Sequence, residues 1–198
     1  MEINYYLNNI EFGEIALVLN SRCNTKIDIK GSSVKEFLLY VATENKIAKA
    51  LKMLSLDSSV LEKTPSQLTN LENTLVIIAY QLLQGKELVI NYLDVLLNYK
   101  EETYVKKILI KLAHQYNVKI AIFTNNIKFC FNMIDKIILV KDKEIVDYLP
   151  NDFYNMEIYN YIEMPEIIRF VADNIMRGKN LDKYLELSEL LKGIYRIC

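Results

Sequence analysis

The chain is predicted to have an α/β fold in which helices cover a mostly parallel sheet. The first reason is the stretch from Thr64 to Val146, where apolar helices alternate with short runs of strand character. The second is the apolar run Glu14–Leu19, which is typical of a strand buried on both faces. Beyond Pro150 the pattern is helical throughout. We therefore divide the 198 residues into an α/β domain over 1–149 and a helical segment over 150–198.

The composition excludes several classes of function. A net charge of −1 gives no electrostatic reason to expect binding to nucleic acid. One histidine (His114) and three widely separated cysteines supply no usual zinc or iron–sulfur ligand set, so no metal site is expected. No apolar run approaches the length of a membrane span, so direct insertion into a membrane is not expected. Five glycines leave few positions for a phosphate-binding loop, which needs unobstructed backbone N–H groups.

The first third of the chain predicts one buried strand followed by a pair of helices. Met1–Leu7 can form an edge strand, and Lys26–Lys30 a short strand within a loop. Ser33 is expected to cap the helix that starts at Val34. Two helices that break near Thr43–Asn45 are predicted from apolar residues at helical spacing, namely Phe37, Leu38, Val41, Ile47, Leu51 and Leu54.

The central stretch opens with a helix whose start carries a capping box. Thr69 and Glu72 are spaced so that each side chain can bond the backbone N–H of the other, and Gly85 ends this helix. The elements that follow are predicted in chain order as a strand at Leu88–Ile90, an amphipathic helix at Glu101–Gln115, a strand at Lys119–Thr124, a short helix at Asn126–Met133, and a hairpin of Lys136–Lys141 with Glu144–Asp147. The C-terminal helices are predicted at Asp152–Tyr161, Pro165–Arg177 and Asp182–Ile194.

The order and spacing of several segments resemble an ATP-binding-cassette (ABC) ATPase, in particular the ATPase subunits of energy-coupling factor (ECF) transporters. In that family a proline-containing connector leads into the LSGGQ signature, a Walker B strand, a strand that ends in the switch histidine, and a strand pair. The matching segments here are Thr64-Pro65, Leu68–Glu72, Leu88–Asn91, Thr124-Asn125 and Asp135–Val146, and no gap is needed between them. The resemblance implies a P-loop NTPase-like fold that is truncated and degenerate, with a helical subdomain over about 33–85 and a small C-terminal helical appendage.

The end of the chain resembles the C-terminal segment of the same ATPases. Their pattern P-x-x-x-x-L-A-x-x-L-x-x-x-G-x-x-L, followed by an L-T-x-E-E-L helix, is matched by Pro165, Val171-Ala172, Gly178, Leu181 and Leu187–Leu191.

The N-terminal part admits two registers. In one, Gly13-Glu14 leads into a Walker A loop in which Lys26 takes the place of the phosphate-binding lysine. In the other, Ile15–Asn20 corresponds to the Q-loop strand and the Walker A segment is missing. The interval between residue 20 and Leu68 is too short for both, so about one structural block is deleted.

The residues that would perform hydrolysis are replaced in this alignment. Tyr92 and Leu93 occupy the Walker B aspartate and the catalytic glutamate, and neither can ligate Mg²⁺ or orient a water. Asn125 occupies the switch histidine and cannot carry a proton at neutral pH. In the first register, the Walker A glycines become residues with a Cβ, and Ile27 offers no hydroxyl to Mg²⁺. We expect no catalytic residues and no ATP or Mg²⁺ cofactor, and Lys26 is a vestige of the phosphate site.

The resemblance implies that the chain acts by binding partners. The expected partners are an intact ABC ATPase, the ECF transmembrane subunit, or a second copy of the chain. We expect docking through Phe37 and Tyr40 in the helical subdomain, and through Pro165 and Leu190 in the C-terminal segment. The protein would then be cytoplasmic and held at the inner face of the cell membrane by its partners. Two alternatives stay open: a divergent ATPase that still binds ATP, and a stand-alone adaptor that reuses the fold.

Overall fold

The structure, a computed structural model, describes residues 3–21, 23, 27–91, 97–124, 130, 133–141, 144–154, 156–160, 163–179, 181–184 and 187–197. The helices are α1 (Ile3–Leu7), α2 (Val34–Leu39), α3 (Glu44–Met53), α4 (Asn70–Gln84), α5 (Tyr99–Tyr116), α6 (Glu166–Met176) and α7 (Leu187–Ile197). The strands are β1 (Ile15–Leu19), β2 (Glu87–Asn91), β3 (Lys119–Phe123), β4 (Lys136–Lys141) and β5 (Glu144–Tyr148). Among these residues, no helix combines the length and apolar character needed to cross a membrane.

The described strands form one sheet in the order β2-β3-β1-β4-β5. β1 pairs in parallel with β4, with Leu17 opposite Ile137. β4 and β5 form the predicted antiparallel hairpin, with Leu139 opposite Val146. All five residues of β1 are buried, which confirms a strand covered on both faces. The architecture is the predicted α/β sheet with helices.

The described residues fall into two compact units. One unit comprises residues 1–15 and 23–122 and contains α1–α5. Its long helices bury the faces that the apolar periodicity indicates: Leu75, Val76, Ile78 and Ala79 in α4, and Val105, Ile108, Leu109, Leu112 and Ala113 in α5. A capping box formed by Asn98 and Glu101 starts α5, because the Asn98 side chain accepts hydrogen bonds from the first free N–H groups of the helix.

The other unit comprises residues 16–22 and 123–198. After the hairpin, the chain forms two short 3₁₀ segments, Pro150–Tyr154 and Met156–Asn160, and then α6 and α7. The Tyr154 hydroxyl donates to the carbonyl of Tyr184, and the Tyr159 hydroxyl donates to the carbonyl of Phe153. Burial raises the pKa of Tyr154 to about 12, so both hydroxyls keep the protons that these bonds need at neutral pH.

Several boundaries differ from the sequence prediction. Residues 3–7 form a helix instead of an edge strand, and the chain continues into a turn in which the Asn9 and Ile10 N–H groups bond the carbonyls of Tyr6 and Leu7. These local bonds satisfy the backbone without a neighbouring strand.

Three further segments differ from the predicted regular structure. In place of the predicted helix at Asp152–Tyr161, the chain forms the two 3₁₀ segments Pro150–Tyr154 and Met156–Asn160. Residues 27–30 have no strand. The last helix starts at Leu187 and not at Asp182, because Tyr184 folds back on Asp182 through its N–H and its hydroxyl. The predicted short helix at Asn126–Met133 lies mostly outside the described residues.

Candidate functional site

The N-terminus of α4 is the first candidate, because the resemblance places the LSGGQ signature there. The structure forms the complete capping box: the Glu72 N–H donates to Thr69 Oγ1 at 3.2 Å, and the Thr69 N–H donates to Glu72 Oε2 at 3.0 Å. Lys63 adds an ion pair of 2.6 Å to Glu72 Oε1. The Lys63 ammonium, helped by the Thr69 N–H, lowers the pKa of Glu72 below its ordinary value. The helix start therefore carries a fixed carboxylate that is ionised at neutral pH.

This arrangement changes what the helix end can bind. A helix N-terminus attracts anions because its first N–H groups are free and the helix dipole places partial positive charge there. Here the Glu72 N–H is bonded to Thr69 Oγ1, and the Thr69 N–H is bonded to the Glu72 carboxylate. Lys63, the cation beside the helix start, is also engaged by the same carboxylate. A phosphate brought to this end would meet negative charge.

A second candidate is a cleft of about 580 Å³ beside α2 and α4, which we call the aromatic cleft. Phe37 of α2 stacks on Tyr80 of α4, with ring centroids 4.6 Å apart and planes 18° apart. The aromatic cleft is lined by Ile27, Asp28, Lys30, Gly31, Phe37, Tyr40, Val41 and Tyr80. Its rings and its two opposite charges suit a peptide segment with apolar and polar side chains better than a highly charged nucleotide.

The loop before α2 is fixed by hydrogen bonds at one end of the aromatic cleft. Ser33 caps α2 as predicted, accepting from the Glu36 N–H at 3.2 Å. The Glu36 carboxylate accepts from both the N–H and the hydroxyl of Ser32, each at 2.7 Å. These bonds lower the pKa of Glu36. Its carboxylate is therefore ionised at neutral pH and accepts both bonds from Ser32. The lining on this side is therefore preformed.

The two residues predicted for docking in the helical subdomain both line the aromatic cleft, but they play different parts. Tyr40 is 77% exposed, so its ring is available to a partner. Phe37 is only 6% exposed, because its ring lies against Tyr80. A charge at Phe37 would disturb the packing of α2 on α4, whereas a charge at Tyr40 would act at the surface.

Several solved ABC ATPases share this arrangement of elements. The protein cbiO1 from Clostridium perfringens, part of the ABC transporter complex cbiONQ, aligns with 85% of this chain and 87% of its own at 14% identity and TM-score 0.60. An ATP-binding subunit of an ABC transporter aligns with 76% of this chain and 88% of its own at 10% identity and TM-score 0.60. The chain has the fold of an ABC transporter ATPase. A dimeric cassette in a post-hydrolysis state with ADP and Pi aligns with 72% of this chain and 88% of its own, at 16% identity and TM-score 0.53.

The similarity to ABC ATPases is visible in the fold alone. No protein-family model matches the sequence, and no curated protein matches it significantly. The sequence-based expectation of this fold rested on the order and spacing of segments between Thr64 and Val146.

Among the residues that the alignment assigns to the nucleotide site, Ile27 is described and lines the aromatic cleft. Four others lie outside the described residues, namely Lys26, Tyr92, Leu93 and Asn125. Their replacement therefore rests on the sequence. In the described part of the chain, no cluster of three or more His, Cys, Asp or Glu side chains could hold a metal ion.

The C-terminal docking residues turn out to be buried. Leu190 is 4% exposed, and Pro165 is buried at the start of α6. Both therefore support the packing of the segment and are not open to a partner in this structure. The exposed apolar side chains of α7 are Leu187, Leu191 and Tyr195, which we call the C-terminal stripe. Their i, i+4, i+8 spacing places them on one side of the helix, and sequence reasoning overlooked this signal.

Proposed function

We propose that this protein is a catalytically inactive ABC ATPase-like subunit of an ECF-type transporter. It acts by binding an intact ATPase, the transmembrane coupling subunit, or both, at the cytoplasmic face of the membrane. The observation that carries the proposal is the carboxylate of Glu72 at the start of α4, held by Thr69 and Lys63. The ABC ATPase fold supplies the context.

The loss of hydrolysis follows from electrostatics. Catalysis of phosphoryl transfer depends on positioned positive charge and backbone donors around the γ-phosphate. At α4 the Thr69 N–H already bonds the Glu72 carboxylate, so this carboxylate and a phosphate would compete for one helix end. The sequence replaces the Walker B acids with Tyr92 and Leu93 and the switch histidine with Asn125. Since such groups act as a unit, their joint absence leaves no partial mechanism.

The retained surfaces support a binding role. The aromatic cleft presents Tyr40 beside the helical subdomain, where the resemblance places the docking of the transmembrane subunit. The C-terminal stripe presents three exposed apolar side chains in the segment that the resemblance associates with dimerisation. Exposed aromatic and apolar groups of this kind are enriched at protein interfaces.

A pull-down from gently solubilised native membranes tests the proposal. The wild-type chain is expected to recover an intact ABC ATPase, a polytopic transporter subunit, or both. Tyr40→Glu is expected to reduce recovery of the transmembrane subunit about tenfold, because it buries a charge in the contact. The matched control is Tyr99→Glu, which changes another tyrosine, 82% exposed, at the first residue of α5.

Each result has a defined meaning. Equal recovery with Tyr40→Glu and Tyr99→Glu would contradict the assignment of the aromatic cleft. Recovery of soluble proteins only, with no transporter component, would contradict the transporter role and favour the stand-alone adaptor. Recovery of a second copy alone would favour a homodimer.

A further inference from the structure

The outer edge of β2 is closed by a side chain from α4. β2 is the first strand in the sheet order, and no described strand lies on its outer side. Its inner side faces β3, as shown by the bond of 2.9 Å from the Lys119 N–H to the carbonyl of Lys86. Because the backbone groups of a strand alternate between its two edges, Leu88 and Ile90 also face β3. Glu87, Val89 and Asn91 then face outward.

Gln81 occupies the middle of this outer edge. Its Oε1 accepts from the Val89 N–H at 2.7 Å, and its Nε2 donates to the Val89 carbonyl at 3.0 Å. The carboxamide thus makes both hydrogen bonds that a residue of a neighbouring strand would make. Gln81 and Val89 are both half-buried, so the bonds are partly sheltered from water.

The geometry of α4 and β2 makes this contact possible. α4 ends at Gln84, and the chain then reverses through Gly85 and Lys86 into β2. Gln81, in the last turn of α4, therefore lies beside the strand only eight residues later. The glutamine side chain is long enough for its carboxamide to bond both the N–H and the C=O of Val89. The asparagine side chain is one methylene shorter.

An open strand edge is a template for pairing with another chain. On β2 an incoming strand would need the outward groups of Val89, which is the central one of the three outward residues. With Val89 occupied, that strand would have to displace Gln81 or leave a gap in the middle of its ladder.

We propose that Gln81 is an edge cap that prevents β2 from pairing with β2 of a second copy of this chain. This role is independent of nucleotide and of transporter partners. It predicts that the chain without the cap self-associates through β2.

Gln81→Met tests the proposal, because methionine has a similar length and no carboxamide. The control is Gln84→Met, the same substitution at an exposed residue one turn further along α4. Amide hydrogen exchange should show the Val89 N–H exchanging about tenfold faster in Gln81→Met at low protein concentration. Sedimentation velocity should show self-association about tenfold tighter than in wild type or Gln84→Met.

A second variant separates strand pairing from misfolding. Val89→Pro removes the N–H that faces outward and costs no bond to β3. In the Gln81→Met background it should restore the wild-type sedimentation profile. The proposal is overturned if Gln81→Met sediments like wild type. It is equally overturned if Gln81→Met associates and Val89→Pro fails to reverse it, because the association would then not require β2.

Discussion

Glu72 shows how a single side chain can change the chemistry of a helix end. The family signature offers small residues to a phosphate at this place, and the present chain offers a carboxylate that bonds its own helix. The same carboxylate contributes to stability, because it is bonded by Thr69 and paired with Lys63. Under the proposed function, Glu72 accounts both for local stability and for the loss of ATP chemistry.

Glu72→Gln should lower the free energy of unfolding by about 1 kcal/mol at pH 7. The pKa of Glu72 is lower in the folded state than its ordinary value of 4.5. Its contribution is therefore present above the ordinary pKa and disappears as the pH falls through the folded-state value. The difference between wild type and variant should shrink in acid.

Urea unfolding at pH 7 and at pH 3 checks this expectation. Glu11→Gln, at an exposed carboxyl outside the capping box, serves as the control. A pH-independent difference for Glu72→Gln would mean that the charge of Glu72, and with it the ion pair to Lys63, does not stabilise the fold.

Among the elements, α7 depends on a close contact that leaves no space for a side chain at Gly193. A Cβ at this position would lie 2.8 Å from Cε2 of Tyr184 and closer still to its hydroxyl. The ring of Tyr184 thus covers the helix backbone at Gly193, while the C-terminal stripe stays exposed. The packing of α7 is set by this glycine and by Leu190.

Gly193→Ala should destabilise the protein by about 1 kcal/mol, because the overpacking cost exceeds the gain in helix propensity. In a Tyr184→Ala background the same change should become neutral or stabilising. Thermal unfolding of the four variants of this cycle measures the coupling. Gly85→Ala is the control, since a Cβ there would meet no atom within 4 Å. If Gly193→Ala lowers the free energy of unfolding equally with and without Tyr184→Ala, the contact between Tyr184 and position 193 is contradicted.

Local signals explain which elements could be predicted from the sequence. The capping box at Thr69, the cap at Ser33 and the apolar periodicity of α5 each depend on neighbours within a few residues, and the structure confirms them. The helix at Ile3–Leu7 could not be predicted, because the periodicity of so short an apolar run does not distinguish a helix from a strand.

The candidate sites were only partly predictable, because the contacts that define them are made in the tertiary structure. The spacing of Leu187, Leu190 and Leu191 predicts a helix, but it does not tell which leucine faces inward. The sequence likewise does not indicate that Gln81, a glutamine in an apolar helix, bonds the backbone of Val89. In both cases the deciding contact comes from tertiary structure.

At the scale of the whole molecule, the chain has the ABC ATPase fold, and we propose that it neither binds nor hydrolyses ATP. We expect no heat of binding when Mg·ATP is titrated to millimolar concentration, and no difference between wild type and Lys26→Ala. An intact ABC ATPase measured in the same buffer is the control. Binding that weakens with Lys26→Ala would contradict inactivity and support the divergent ATPase instead.

The pairing of β1 with β4 also affects how the protein is made. β1 leaves the ribosome before β4, because paired residues such as Leu17 and Ile137 are 120 residues apart in the chain. At about 5–20 residues per second, the apolar segment Ile15–Leu19 waits on the order of ten seconds for that neighbour. During this interval the nascent chain exposes an apolar segment. Lower growth temperatures or bound chaperones should therefore raise the yield of native protein.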